Sequence, residues 1–207
     1  MNSIVYNMDC MEGMKQYPDK YFDLAVVDPP YGIGVNHNMG RRKGDKNSDY
    51  KKAYWDNCAP DNDYFIELFR VSKNQVIWGA NHFISMFALD ASCWIMWDKM
   101  FSEDVSFAQF ELAWTSFNGT CKKFTKHPSQ NDRIHPTQKP VALYDWIYKN
   151  YLPQGGRVLD THLGSGSNRI AADKAGNIDF TAYELDKDYY EAQEKRFKEY
   201  RAQLRMF

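Results

Sequence analysis

The sequence predicts an α/β protein with a mostly parallel central sheet and an antiparallel edge hairpin. Three observations predict it. An apolar run, Leu24-Ala25-Val26-Val27, has the look of a strand buried on both faces and closes on Asp28-Pro29-Pro30-Tyr31. A second short run, Arg157-Val158-Leu159-Asp160, leads through the glycine-bearing turn Thr161-His162-Leu163-Gly164-Ser165-Gly166-Ser167 into a helical stretch, Asn168 to Ala175. Elsewhere short apolar runs alternate with helical patterns, as in βαβ units.

Taken in order, Ile4 to Met8 reads as a strand and Met11 to Gln16 as a short helix. After the Leu24 strand comes a long polar stretch, Gly32 to Pro60. Asp61 is placed to cap a helix running through Ser72, with Phe65, Leu68, Phe69 and Val71 at helical spacing. Gln75 to Gly79 is a strand, and Asn81 to Leu89 is expected to be a helix. Cys93 to Trp97 and Phe110 to Ser116 are strand-like and suited to antiparallel pairing. Val141 to Tyr151 is a helix behind Pro140, Asp179 to Tyr183 a strand ending in Glu184, and Asp186 to Gln203 a charged terminal helix. The Asp28 and Asp160 strands are expected to be central neighbours, their C-terminal ends meeting at the topological switch point.

The tetrapeptide at 28–31 carries chemistry. A strand delivers the Asp28 carboxylate to its C-terminal end, where open α/β sheets bind ligands. Pro29 and Pro30 lock φ and remove two backbone donors, and Tyr31 adds a flat ring. A rigid acceptor beside a stacking surface suits an exocyclic amine on a planar ring, such as N6 of adenine or N4 of cytosine. A proline turn, or an extended proline-rich ligand segment, would produce the same string.

The turn at 161–167 lets the backbone approach a ligand closely. It lacks the third glycine of a dinucleotide fingerprint, Arg169 standing there, which argues against NAD. Glu184, an acidic residue at the end of the next strand, is spaced to grip ribose hydroxyls of an adenosine-bearing cofactor.

Together with His135-Pro136-Thr137-Gln138-Lys139-Pro140, these segments resemble the S-adenosylmethionine-dependent amino-DNA methyltransferases. Asp-Pro-Pro-Tyr first, then this segment, then the glycine loop, is similar to the circularly permuted order of the β class. The resemblance runs from Met8-Asp9-Cys10 to the last helix and implies a Rossmann-like class I methyltransferase fold. It also implies S-adenosylmethionine as cofactor, bound by Asp9, Cys10, Asp28, Thr137, Lys139, Asp160, His162, Gly164, Ser165, Gly166, Ser167 and Glu184. Within that set it assigns Asp9 to the cofactor's adenine amino group and Glu184 to its ribose. The Gly164–Ser167 loop passes under the methionyl part, and Thr137 and Lys139 lie near its carboxylate. One departure stands out. The family usually has Asp-Pro-Phe before Gly-Ser-Gly, the phenylalanine packing near the methionine moiety, and here Thr161 and His162 replace the last two.

The implied reaction is SN2 methyl transfer to an exocyclic nitrogen. Asp28 and the Pro29 carbonyl would accept the two N–H bonds, turning the nitrogen lone pair toward the methyl carbon. Tyr31 would stack on a base rotated out of its duplex. Adenine N6 is expected, because cytosine-N4 members more often carry Ser-Pro-Pro-Tyr. Cytosine N4, an RNA or protein acceptor, and a catalytically silent DNA-binding subunit are alternatives.

The 207-residue chain is expected to be a single domain with inserted loops near 33–60 and 117–138. A formal net charge of −1 does not advertise nucleic-acid binding, so contact with double-stranded DNA must come from local patches. Asn36 to Lys52 holds six basic and two acidic residues, among them Arg41, Arg42 and Lys43, for a net +4. Phe117 to Pro140 holds five basic residues, including Lys122 and Lys123, and one acidic, again +4. Both flank the proposed catalytic strand ends, so they are expected to touch phosphates and read part of the sequence. The stretch between Trp97 and His135 is too short for a sizeable recognition domain, so a short recognition site is expected, and the resemblance to the β class implies a homodimer. Asp98 and Lys99 read as a DNA contact or as a hairpin end. Trp78, Trp94, Trp97 and Trp114 read mainly as core, and His37, His82 and His127 as surface or hydrogen-bonded groups.

The cysteines, Cys10, Cys58, Cys93 and Cys121, show no metal spacing, and no metal is expected. With no signal-like leader and no apolar run of transmembrane length, a cytoplasmic protein without a membrane partner is expected.

Overall fold

The computed structural model describes residues 2–34, 56–87, 89–103, 108–128 and 132–204. Among the described residues eight strands form one sheet: β1 (Ser3–Tyr6), β2 (Phe22–Val27), β3 (Ser72–Trp78), β4 (Trp94–Asp98), β5 (Phe110–Thr115), β6 (Lys122–Thr125), β7 (Gly156–Asp160) and β8 (Ile178–Tyr183). Their order across the sheet is β1-β8-β7-β2-β3-β5-β4-β6. All neighbours pair in parallel except β5, which runs antiparallel to both β3 and β4. The expected hairpin of β4 and β5 therefore forms, stitched to the parallel part through β5. A short strand, β6, lies beyond it at the edge.

Strand alternation divides the core. Leu24 and Val26 of β2 point to the face covered by α3 (Val141–Tyr151) and α4 (Ser167–Ala175). Ala25 and Val27 point to the other face, against Phe65, Leu68 and Val71 of α2 (Asn62–Val71) and Met14 of α1 (Cys10–Met14). Asp61 caps α2 as expected, its carboxylate accepting the Tyr64 N–H at 3.1 Å.

β2 pairs with β3 on one side and β7 on the other. The chain leaves β2 through α2 toward β3, and leaves β7 through α4 toward β8, so the connections diverge between β2 and β7. That is the switch point, with Asp28 and Asp160 at its rim.

One expectation needs correction. Where a helix was expected from Asn81, the described residues form two 3₁₀ turns, Ala80–His82 and Ile84–Met86. Phe83 breaks the helical path (φ −141°, ψ 25°) to bury its ring against Phe65, centroids 5.3 Å apart. The charged terminal helix forms as α5 (Lys187–Leu204), which buries Gln193, Arg196 and Phe197 on its inner side. No helix among the described residues is long and apolar enough to cross a membrane.

Candidate active site

The Asp28 turn is held by groups far away in sequence. The backbone N–H groups of Tyr31 and Gly32 both donate to Asp56 Oδ1, at 2.7 and 3.1 Å. Asp56 is buried, so these charge-assisted bonds fix the turn in a poorly solvated place. The Tyr31 hydroxyl donates to Asp28 Oδ1 at 2.8 Å. Its ring stacks on His82 (centroids 5.0 Å apart, 16° between planes) and lies directly on Gly79. A Cβ on Gly79 would fall 2.0 Å from Tyr31 Cε1, and its φ of +68° disfavours any side chain, so glycine is required there.

Lys139 is buried, and its ammonium uses all three protons inside the site. It donates to Asp28 Oδ2 at 2.5 Å, reaches Glu111 Oε2 at 2.9 Å, and donates to the Tyr31 hydroxyl at 3.3 Å. Glu111, on β5, also receives Lys99 at 2.6 Å. Burial raises the Asp28 pKa above the ordinary carboxylate range; Lys139 opposes the rise and Glu111 adds to it. Burial acts on Glu111 too, but Lys139 and Lys99 outweigh it and hold its pKa at about 2. Lys139 is itself raised: burial disfavours its charge, and Asp28 and Glu111 more than compensate. The Lys139 ammonium, expected near the cofactor's carboxylate, is paired here with these two carboxylates.

The first cavity, about 400 Å³, lies over the C-terminal ends of β7 and β8. Nine of the twelve expected cofactor residues line it: Asp9, Cys10, Asp28, Thr137, Lys139, His162, Gly164, Ser165 and Glu184. Glu184 accepts the Gly164 N–H at 2.7 Å and the Asp186 N–H at 2.9 Å, one on each oxygen. Each oxygen keeps a lone pair for a hydroxyl. Asp9 caps α1 through the Met11 N–H at 2.7 Å, and burial pushes the Cys10 thiol up to about 12.

Asp160, Gly166 and Ser167 do not line the cavity. Asp160 turns inward, accepting from Asn168 Nδ2 at 2.8 Å and the His162 N–H at 3.1 Å. Burial raises its pKa to about 7, those hydrogen bonds opposing. Gly166 (φ +74°) opens α4, and Ser167 is tied to α5, where Arg196 donates to its hydroxyl at 3.0 Å and to the Ser165 carbonyl at 2.8 Å.

Thr161 and His162 form a chain with α2. Tyr64 and Thr161 share a hydrogen bond of 2.7 Å between their hydroxyls, and Thr161 Oγ1 lies 2.9 Å from His162 Nδ1. Burial lowers the His162 pKa to about 4, so near neutral pH the ring is uncharged and lines the cavity as a polar aromatic.

The second cavity, about 530 Å³, adjoins the first; Asp28, Pro30, Thr137, Gln138 and Lys139 line both. Pro29 and Tyr31 line the second alone, so all four residues of the tetrapeptide at 28–31 face it. Five aromatic residues stand on its walls, Tyr31, His82, Trp97, Phe101 and Phe110, with Lys99, Arg133 and Lys139 as cations. Lys122 and Lys123 do not sit in a loop. They belong to edge strand β6, where Lys123 pairs with Asp98 at 3.3 Å. Arg41, Arg42 and Lys43 lie outside the described residues. No cluster of three or more His, Cys, Asp or Glu arranged for a metal occurs among the described residues.

Sequence reasoning missed Asp56, Glu111, Asn168 and Arg196. Asn168 bridges the switch point, donating to Asp160 and to the Val26 carbonyl at 3.2 Å. A polar residue inside an apolar run, such as Glu111 before Leu112-Ala113-Trp114, was the one signal in the chain.

Comparison with known proteins agrees with this layout. A family model described as DNA methylase matches residues 77–195, more than half the chain. The type II methyltransferase M.HinfI of Haemophilus influenzae is 26% identical over 245 residues, covering 92% of this chain and 67% of that protein. Among solved structures, the M1.HpyAVI–SAM complex superposes with a TM-score of 0.64 at 20% identity, covering 95% of this chain and 99% of that one. The cytosine-N4-specific PvuII DNA methyltransferase superposes at 0.62 and 13% identity, covering 95% and 86%. At such identities the superpositions establish the fold, and the family match establishes kinship. The chain belongs to the N6/N4 DNA methylase family.

Proposed function

We propose that this protein is a site-specific DNA methyltransferase that moves a methyl group from S-adenosylmethionine to N6 of an adenine turned out of the duplex. The observation that carries the reading is the meeting of two cavities at Asp28 and Pro30. One has the donors and acceptors for an adenosine-type cofactor. The other has aromatic walls and a volume suited to a base.

The residues present fit the cofactor. Glu184 retains free lone pairs for ribose hydroxyls, and Gly164, at φ +54°, brings backbone to the cavity wall without a side chain. Asp9 and His162 line the remainder. When bound, S-adenosylmethionine supplies a methyl group on an electrophilic sulfonium.

The chain's own residues prepare the acceptor. An aromatic amine is a weak nucleophile because its lone pair is delocalised. Asp28 and the Pro29 carbonyl accept its two N–H bonds, which frees the lone pair for the methyl carbon. Asp28, or water, would take up the surplus proton of the methylated nitrogen. Tyr31, pinned by His82, Gly79 and Asp56, offers the stacking face.

Adenine is favoured over cytosine because Asp28, rather than a serine, heads the tetrapeptide. The cytosine-N4-specific PvuII relative keeps the second reading in view, so the assay must resolve both bases. Incubation with labelled S-adenosylmethionine and unmethylated genomic DNA, followed by nucleoside mass spectrometry, should yield N6-methyladenine. Label found only in N4-methylcytosine would overturn the adenine assignment, and no label in DNA would overturn the reading itself. A homodimer in the cytoplasm belongs to the same proposal, and sedimentation with and without DNA tests the assembly.

A further inference from the structure

Asp28 faces competing demands. It must point a lone pair at the substrate amine while its Oδ1 accepts from Tyr31 and its Oδ2 from Lys139. Lys139 is buried, and a buried ammonium stripped of its anion is unstable. If Asp28 were its only partner, any turn of that carboxylate toward the substrate would weaken the hold on the cation. Glu111 supplies a second anion 2.9 Å from the same nitrogen.

Resting on the methyltransferase reading, we infer that Glu111 is a positioning residue. It holds the Lys139 ammonium in place while Asp28 shares its carboxylate between Lys139 and the amine of the base. The division of labour is electrostatic. Glu111 lies between two lysines, Lys139 and Lys99, and stays ionised throughout the working pH range. Asp28 is the carboxylate free to take up the proton shed by the methylated nitrogen. Glu111 has a further effect, because a sulfonium enters the site and positive charge develops on nitrogen. Its anion offsets Lys139, and removing it leaves an added positive charge beside the reacting atoms.

The groups acting on Asp28 come from several elements. Tyr31 belongs to its own turn, Lys139 to the segment before α3, and Glu111 to β5. Tyr144 of α3, Tyr64 of α2 and Asp160 of β7 lie within its field, and Lys99 acts through Glu111. Glu111 is the one whose removal tightens Lys139 on Asp28 and takes away a neighbouring negative charge at once. Both changes lower the pH at which Asp28 loses its proton.

The test compares wild type, Glu111→Gln, Glu111→Asp and Lys99→Met in single-turnover DNA methylation across pH, with cofactor binding followed by calorimetry. Glu111 does not line the first cavity, so E111Q should bind S-adenosylmethionine as wild type does. Its maximal rate should fall roughly 10- to 100-fold, the reduction expected when a charge-assisted hydrogen bond is removed. The acid limb of its rate profile should move to lower pH. E111D should keep the wild-type limb at a reduced rate, and K99M should move the limb upward by removing a cation. An E111Q rate and profile like wild type, or limbs of E111Q and K99M moving together, would overturn the role of Glu111. Joint loss of cofactor binding and turnover in E111Q would overturn it too, as a purely structural effect, unless E111D and K99M show the opposed behaviour. A wild-type protein that transfers no label to DNA would sink the underlying reading instead.

Discussion

The carboxylate of Asp56 accepts the backbone N–H of Tyr31 at 2.7 Å, so a residue 25 positions downstream sets the backbone of the proposed catalytic turn. It takes the Gly32 N–H as well. Prolines alone leave such a turn one hinge short of rigid, since Tyr31 and Gly32 have free φ. Asp56→Ala should therefore cost about 1.5–3 kcal/mol of stability, the worth of hydrogen bonds to a charged group. Turnover should drop well beyond that loss while cofactor affinity stays near wild type. Chemical denaturation, calorimetry and single-turnover assays separate the three quantities.

Gly79→Ala places a methyl group against the Tyr31 ring at a left-handed backbone position. The backbone alone costs about 1–2 kcal/mol, and the ring must move off its seat. The variant should fold, bind cofactor and lose most of its methylation rate. A rate within twofold of wild type would mean that the position of Tyr31 is not critical.

Asp28→Ala and Glu184→Ala should separate chemistry from cofactor binding. Asp28→Ala removes the acceptor of the amine and should abolish turnover with cofactor still bound. Glu184→Ala should weaken cofactor binding by about 1–3 kcal/mol, the range for removing one hydrogen bond to a charged group. Calorimetry showing the reverse pattern would reassign both roles.

Stability against pH should expose two opposing buried groups. The Asp160 pKa is raised from 3.8 to about 7, so its contribution is full below 3.8 and lost as pH rises through 7. His135 and His162 are lowered from 6.5 to about 3 and about 4, chiefly by burial, so theirs is full above 6.5 and lost on acidification. The slopes oppose one another between pH 4 and 6.5, within the ranges those shifts span. Asp160→Asn should make the acid side of the stability curve steeper, and His162→Phe should make it shallower. Denaturant titrations at a series of pH values measure both slopes; identical slopes in all three proteins would refute the assignment.

Neutralising Arg41, Arg42 and Lys43 together should weaken DNA binding and flatten its salt dependence, the logarithmic slope falling by about 0.9 for each phosphate the variant no longer neutralises. Unchanged affinity across a salt titration would remove this segment from the DNA interface.

Much of this protein was legible in the chain because the signals are local. A buried strand read as an unbroken apolar run, Asp61 announced its helix, and residues 141–151 coincide with α3 as expected. The neighbouring of the Asp28 and Asp160 strands followed from the rule that ligand-binding motifs gather at a switch point. What stayed hidden depended on partners brought together by folding. A strand of Lys122-Lys123-Phe124-Thr125 has no pattern of its own and forms because β4 offers an edge. Residues 81–89 carry helical periodicity, but burying Phe83 outweighs it. Glu111, Asp56 and Lys139 acquire their roles only where β5, the Asp28 turn and the segment before α3 converge. Local sequence determines which backbone forms; which charge faces which is decided by the low-dielectric space that packing creates.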